Sequence, residues 1–401
     1  MLTRVRHLPV FVLAFALLCS AALTIDGQTS QAELQKVLQD KAAFADTDFA
    51  ALQRGETIVK LAPAQDKREI ALSGLVNLRA SADDFLRSYR ESLTQRTNAA
   101  VLELGSFSAT PTLSDLQNLT LEPDDIEDLK ECAVGDCDIK LSAAMIERFA
   151  REVNWQAPDY AQQATLLFKT MLLDYVRDYH ARGSAALIEY NDKPTGVRLA
   201  DEQRELTGTS GYLNDIFASA LATQTRPAEE MLVWSKIKFG LKPVIAVNHV
   251  MIYKRGLELG PQVLAVSRQI YADHYFDSSL ALTAFVTVAG PTSYMVYENR
   301  SRADGLDGPF SKFKRRMVES KALAGLKGIL EHSKLTLEAP LAGPDSATVA
   351  ANGGWKQRLF GGIRPLLWFM ILSGFIALFL LRNYEGKTRT AGVKQLKPEE
   401  R

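Results

Sequence analysis

Three cysteines stand in 401 residues, at positions 19, 132 and 137. So few exclude a disulfide-rich scaffold and any zinc site built from four thiolates. Charge of one sign is lacking too, because 47 Lys and Arg balance 47 Asp and Glu. A net charge of zero removes the simplest electrostatic case for nucleic-acid binding, and none is expected. Bulk attraction to an anionic membrane goes with it. Histidine is scarce, five in all. No H-E-x-x-H pair, P-loop, G-x-G-x-x-G, G-x-S-x-G elbow or repeat period occurs. The motifs therefore point to no cofactor and no metal.

Long apolar runs number only two. The first, Leu8 to Leu18, follows Arg4 and Arg6 and precedes Ser20, Ala21 and Ala22. A positive start, a short apolar run and small residues are the pattern of a signal peptide, expected over 1–22. Leu18 stands before Cys19 where a lipoprotein would carry a small residue. The second run lies in 363–381, with an uncharged core from Pro365 to Leu381 and Trp368 near one end. It predicts a single C-terminal transmembrane helix. Arg382, Lys387, Arg389, Lys394, Lys397 and Arg401 follow it, so a basic tail over 382–401 is expected in the cytoplasm. The expected address is a bacterial inner membrane, with the body of the chain on the periplasmic side. In an oxidising compartment the isolated pair Cys132 and Cys137 reads most simply as a disulfide around the turn Gly135-Asp136. Free thiols and a metal or redox pair are the alternatives.

Between the apolar runs the pattern changes twice. Residues 23–54 predict an N-terminal helical segment. Ile58 to Leu61 and Ile70 to Leu78 predict a hairpin, and Ser81 then caps a helix bearing Phe85, Leu86 and Tyr89. From about 92 to 233 the sequence is mostly helical. Pro123 opens one helix, Ser142 caps another, and Pro158 to Arg182 predicts a long one stopped by Gly183. From Trp234 five strand-like runs follow in close succession, which implies antiparallel neighbours. The last predicted helix runs from Ser311 to about Leu337, with Phe313, Met317, Leu326 and Leu330 on its inner side. A Pro/Gly/Ala-rich linker over 339–362 precedes the second apolar run.

The order of IALSGLVNLRASADDFLRSYRE at the front and ALTAFVTVAGPTSYMVYENRSRADGLDGPFSKFKRRMVESKALAGLKGIL at the back resembles that of the START-like (polyketide cyclase-related) helix-grip superfamily. The resemblance covers about half of the expected exported region. It implies an α+β fold over 55–338, in which an antiparallel sheet grips a long C-terminal helix. The stretch 92–233 would be a large helical insertion. It also implies binding of a hydrophobic small molecule or lipid, without catalysis, in a cavity under the last helix.

Alternation along strands nominates the lining of such a cavity: His249, Met251 and Tyr253, then Gln269 and Tyr271, then Tyr294 and Glu298. Arg300 and Arg302, with the run Lys312 to Arg316, form a basic patch suited to an anionic headgroup. Two further readings stand beside this one. In the first, the helical insertion docks a protein partner and the chain is a scaffold. In the second, His249 or His274, the latter beside Asp273 and Asp277, serves an envelope enzyme by acid–base work.

Overall fold

The computed structural model describes residues 30–95, 101–239, 242–254, 261–288, 292–304, 306 and 311–339. The signal-like segment 1–22, the linker beyond residue 339, the apolar span 363–381 and the tail 382–401 lie outside them. Two helices come first, α1 (Gln31–Ala42) and α2 (Asp46–Gln53), then the hairpin β1 (Ile58–Leu61) and β2 (Glu69–Leu78). Next are α3 (Ala82–Thr94) and β3 (Val101–Ser106). A helical stretch follows: α4 (Pro123–Glu131), α5 (Ala143–Glu152) and α6 (Tyr160–Arg182), a short ribbon of β4 (Glu189–Tyr190) and β5 (Val197–Arg198), then α7 (Leu199–Gly208) and α8 (Tyr212–Ala222). Five long strands close the sheet, β6 (Glu229–Phe239), β7 (Lys242–Lys254), β8 (Val263–Ala272), β9 (Phe276–Thr287) and β10 (Ser293–Ala303), and α9 (Ser311–Glu338) comes last.

Eight strands form one sheet in the order β1-β2-β10-β9-β8-β7-β6-β3, every neighbouring pair antiparallel. β3 lies within the stretch expected to be helical. The helices between the sheet strands therefore fill 107–228, and β6 begins five residues ahead of the expected Trp234. The signal of β3, Val101 to Leu104, is too short and too mixed to separate from its helical neighbours.

The expected membrane-spanning helix requires a correction. Among the described residues no helix is long and apolar enough to cross a membrane. The fold class is α+β with a large antiparallel sheet, and α9 is amphipathic, not a span: its sequence carries charges from Lys312 to Glu338. The span expected at 363–381 lies outside the described residues.

The sheet is covered on both faces. One carries α3 and α9: Phe85, Tyr89, Val318, Leu326 and Leu330 pack on Leu72, Val76, Val250, Phe285 and Met295. Each large side chain buried there contributes roughly 1.5–3 kcal/mol. The buried stripe of α9 is Val318, Ala322, Leu326, Ile329 and Leu330. Phe313, expected inside, is 66% exposed, so the phase read from the sequence is wrong in the first turn. The helix comes close to the sheet at Gly74, where a Cβ would stand 2.5 Å from the Leu330 methyl. The other face carries the inserted helices. α6 packs Phe168, Met171, Tyr175 and Tyr179 over Trp234, Val247 and Tyr271. α1 and α8 cover Met251, Tyr253, Leu264 and Val296.

Local chemistry accounts for the helix starts. Ser30 and Ser81 each accept the N–H of the residue three positions on, and Glu33 and Asp84 reach back, which makes two capping boxes. Ser142 accepts Met145 N–H, and Pro123 stands in the first turn of α4. Cys132 and Cys137 are disulfide-bonded, their Cα atoms 4.4 Å apart. Gly135, at φ 87°, makes the turn between them, and its N–H and that of Cys137 donate to Asn191 and Asp192 carbonyls.

Candidate functional site

The sequence-predicted lining divides between the two faces. His249, Met251, Tyr253, Tyr271, Tyr294, Glu298, Arg300 and Arg302 all face the inserted helices, away from α9. Tyr271 and Met251 sit in the two cores on that side, and Arg302 reaches Glu202 and Glu205 of α7. Gln269 alone faces α3 and α9. A β-bulge separates it from Tyr271: Val247 pairs with Tyr271 but Asn248 pairs with Gln269, leaving Ile270 as the extra residue. Period-two alternation fails across such a residue, which is why Gln269 and Tyr271 do not share a face.

On the α9 side the bulge assembles a polar patch within an apolar core. Ser267 pairs with Val250, a member of that core, and so shares its face; Asn248 lies two residues away and pairs with Gln269. Asn248 is 4%, Ser267 1% and Gln269 4% exposed. Asn248 Oδ1, Ser267 Oγ and Gln269 Oε1 have no hydrogen-bond partner among the described residues. Each such orphan costs about 1–3 kcal/mol unless something meets it. Farther along the same face, Ser279 and Ser301 hydrogen bond at 2.8 Å, and Asn299 donates to the Leu280 carbonyl at 3.2 Å. Sequence reasoning named Gln269 but not Asn248. The available signal was three amide and hydroxyl side chains interrupting apolar strands, and the bulge hid that they converge.

The two histidines of the enzyme reading sit apart from this patch. His249 Nδ1 lies 2.9 Å from the Tyr179 hydroxyl and Nε2 3.5 Å from Glu230. Burial first, then Arg268 and His180, push its pKa down to about 4, so the ring is neutral near pH 7. His274 is buried with Asp125 and Asp273, their ligand atoms within 4.8 Å of one another, a grouping that could hold a metal ion. Its Nδ1 lies 3.1 Å from the Asp138 carbonyl, which can only accept, and its Nε2 lies 3.1 Å from Asp125 Oδ1. Both nitrogens therefore face acceptors, which suits an imidazolium. Burial opposes that charge, but Asp273 and Asp125 outweigh it and raise the pKa. Lys242 Nζ stands 3.3 Å from Asp125 and bonds Asp128, so a cation already fills this place. The group acts as an interlock between α4 and the sheet.

A second interlock surrounds Lys140, 2% exposed, whose ammonium meets Asp304 at 2.8 Å, Asp277 at 3.0 Å and Asp192 at 3.6 Å. Burial works against its charge, yet the three carboxylates outweigh it and raise its pKa. Asp277, which the sequence placed with His274, belongs here. The predicted basic patch is largely spent on structure: Arg315 donates to the Lys67 and Glu69 carbonyls and pairs with Glu319.

A pocket of about 240 Å³ opens on the inserted-helix side, between the end of α1, the β1–β2 turn, the α7–α8 junction and β10. Glu298 and Arg300 line it. Glu298 is 6% exposed; one oxygen accepts Asn214 N–H at 3.3 Å and the other has no partner among the described residues. Burial pushes its pKa up to about 7, against the Leu213 and Asn214 N–H groups and Arg300. No protein-family model matches the chain, and no curated protein matches it.

Proposed function

We propose that this protein binds a small amphiphile, without catalysis, between the sheet and the α3–α9 layer. The observation that carries the reading is the trio of orphaned polar atoms of Asn248, Ser267 and Gln269, buried on the face that carries the α3–α9 core. Buried polar groups are nearly always hydrogen-bonded, so three unmet ones side by side call for a partner. A ligand with an apolar body and one hydroxyl fits this chemistry, because a hydroxyl both donates and accepts. The resemblance to helix-grip proteins supports the same compartment. The ligand is narrower than the hydrophobic small molecule or lipid that the resemblance implies: it carries a polar head.

The test is a calorimetric titration of the full chain with 1-decanol, comparing wild type with the double variant N248L/Q269L. The reading predicts at least tenfold weaker binding by the variant, together with a higher melting temperature, because two orphaned amides are gone. Equal affinity, or no saturable binding by wild type, would sink it.

A further inference from the structure

The pocket beside Glu298 lies across the sheet from that compartment, and its chemistry is distinct. Two cations stand in or beside it, and both are committed. Arg300 Nη1 donates to Glu69 and to the Pro63 carbonyl at 3.1 Å, and Nη2 to the Ser210 carbonyl at 3.5 Å. Lys41 is held by Asp215 at 2.8 Å. Among the pocket-lining residues, Glu298 Oε1 has no partner among the described residues, on a side chain more than nine-tenths buried; Glu69 Oε2, behind Arg300, and Asn214 Oδ1, on α8, are likewise unmet. The other Glu298 oxygen, Oε2, is fixed by the first turn of α8, and it lies 3.0 Å from where a Cβ on Gly211 would stand, so the loop leaves it little freedom. Around Glu298 stand Arg300 on β10, Asp215 and Tyr212 on α8, Asp40 and Lys41 on α1, and Glu69 on β2 behind Arg300. Of these, the carboxylates of Asp40, Glu69, Asp215 and Glu298 outnumber the two cations, Lys41 and Arg300. An anion would face more carboxylates than cations here, whereas an ammonium would find a carboxyl oxygen that has no partner among the described residues.

We propose that this pocket binds a small primary amine, whose ammonium donates to Glu298 Oε1 while its short alkyl chain occupies the remaining space. Ionisation of Glu298 and binding are then linked. The neutral acid must lose its proton to pair with an ammonium, so affinity rises as pH rises through the pKa of Glu298.

The experiment titrates the full chain with n-butylamine, and with n-butanol and butyrate as neutral and anionic matches, in two buffers of different ionisation enthalpy. Butylamine is expected to bind at least ten times more tightly than either match. Binding at pH 7 should release about half a proton, as for a carboxyl with a pKa near 7, and none at pH 9. Glu298→Gln, which keeps an oxygen for Asn214 N–H, should remove both the preference and the proton release. Proton release by wild type is measured independently of whether that variant folds. Equal binding of butylamine and butanol, tighter binding of butyrate, or no proton release at pH 7 would each overturn the proposal.

Discussion

Single side chains decide where the sheet and the inserted helices are joined. Lys140 is the clearest case. An ammonium removed from water is costly, and here Asp277, Asp304 and Asp192 compensate it. Replacing it strands the carboxylates. Lys140→Met is expected to lose about 3–5 kcal/mol at pH 8, the cost of breaking a buried pair from one side. The sign of the pH dependence follows from the same group. Burial pushes Asp277 up to about 6 even with Lys140 present. Without the ammonium its folded pKa rises further, and an acid with a raised folded pKa destabilises in full above that value and progressively less as pH falls toward its unfolded value. The variant's deficit should therefore shrink at pH 5, as urea melts of both proteins at the two pH values would show. A deficit unchanged with pH would mean that the three carboxylates do not face Lys140. None of this was legible in the sequence, where Lys140 is one cation among 47 and its partners lie 52 to 164 positions away.

Elements were read well where a local signal exists. Ser81, Ser142 and Pro123 mark real helix starts because capping is a contact within one turn. The hairpin and the five closing strands stand out by their apolar runs. The reading slipped where long-range pairing decides: β3 finds its partner β6 more than a hundred residues on, and the bulge at Ile270 turns Tyr271 away from Gln269. That most of the candidate lining faces the inserted helices and not α9 has one cause. Both faces of β7 and β10 are buried, so alternation separates two sets without saying which one α9 covers. The disulfide belongs to this scale. It closes a six-residue loop already held by Gly135 and Cys137 N–H donation to Asn191 and Asp192. The double variant C132S/C137S should lose about 2 kcal/mol, the chain-entropy value for so short a loop, and keep its fold. Loss of folding in denaturant titrations would show that the bond does more than constrain the unfolded chain.

At the scale of the molecule, one sheet is covered by helices on both faces. Its inserted-helix face is sealed by two ionic interlocks and carries the Glu298 pocket at its rim. Its other face holds α9 so close at Gly74 that a methyl there would meet Leu330, yet it retains orphaned amides a few strands away. The proposed ligand would meet those amides, which a purely structural core would leave unpaired at a cost. The measurement that tests this most directly is native mass spectrometry of the full chain, purified without detergent, followed by solvent extraction of the same sample. The account predicts a one-to-one adduct that extracts as a hydroxyl-bearing amphiphile and is absent from N248L/Q269L. A bare wild-type mass that stays bare after addition of 1-decanol would contradict it.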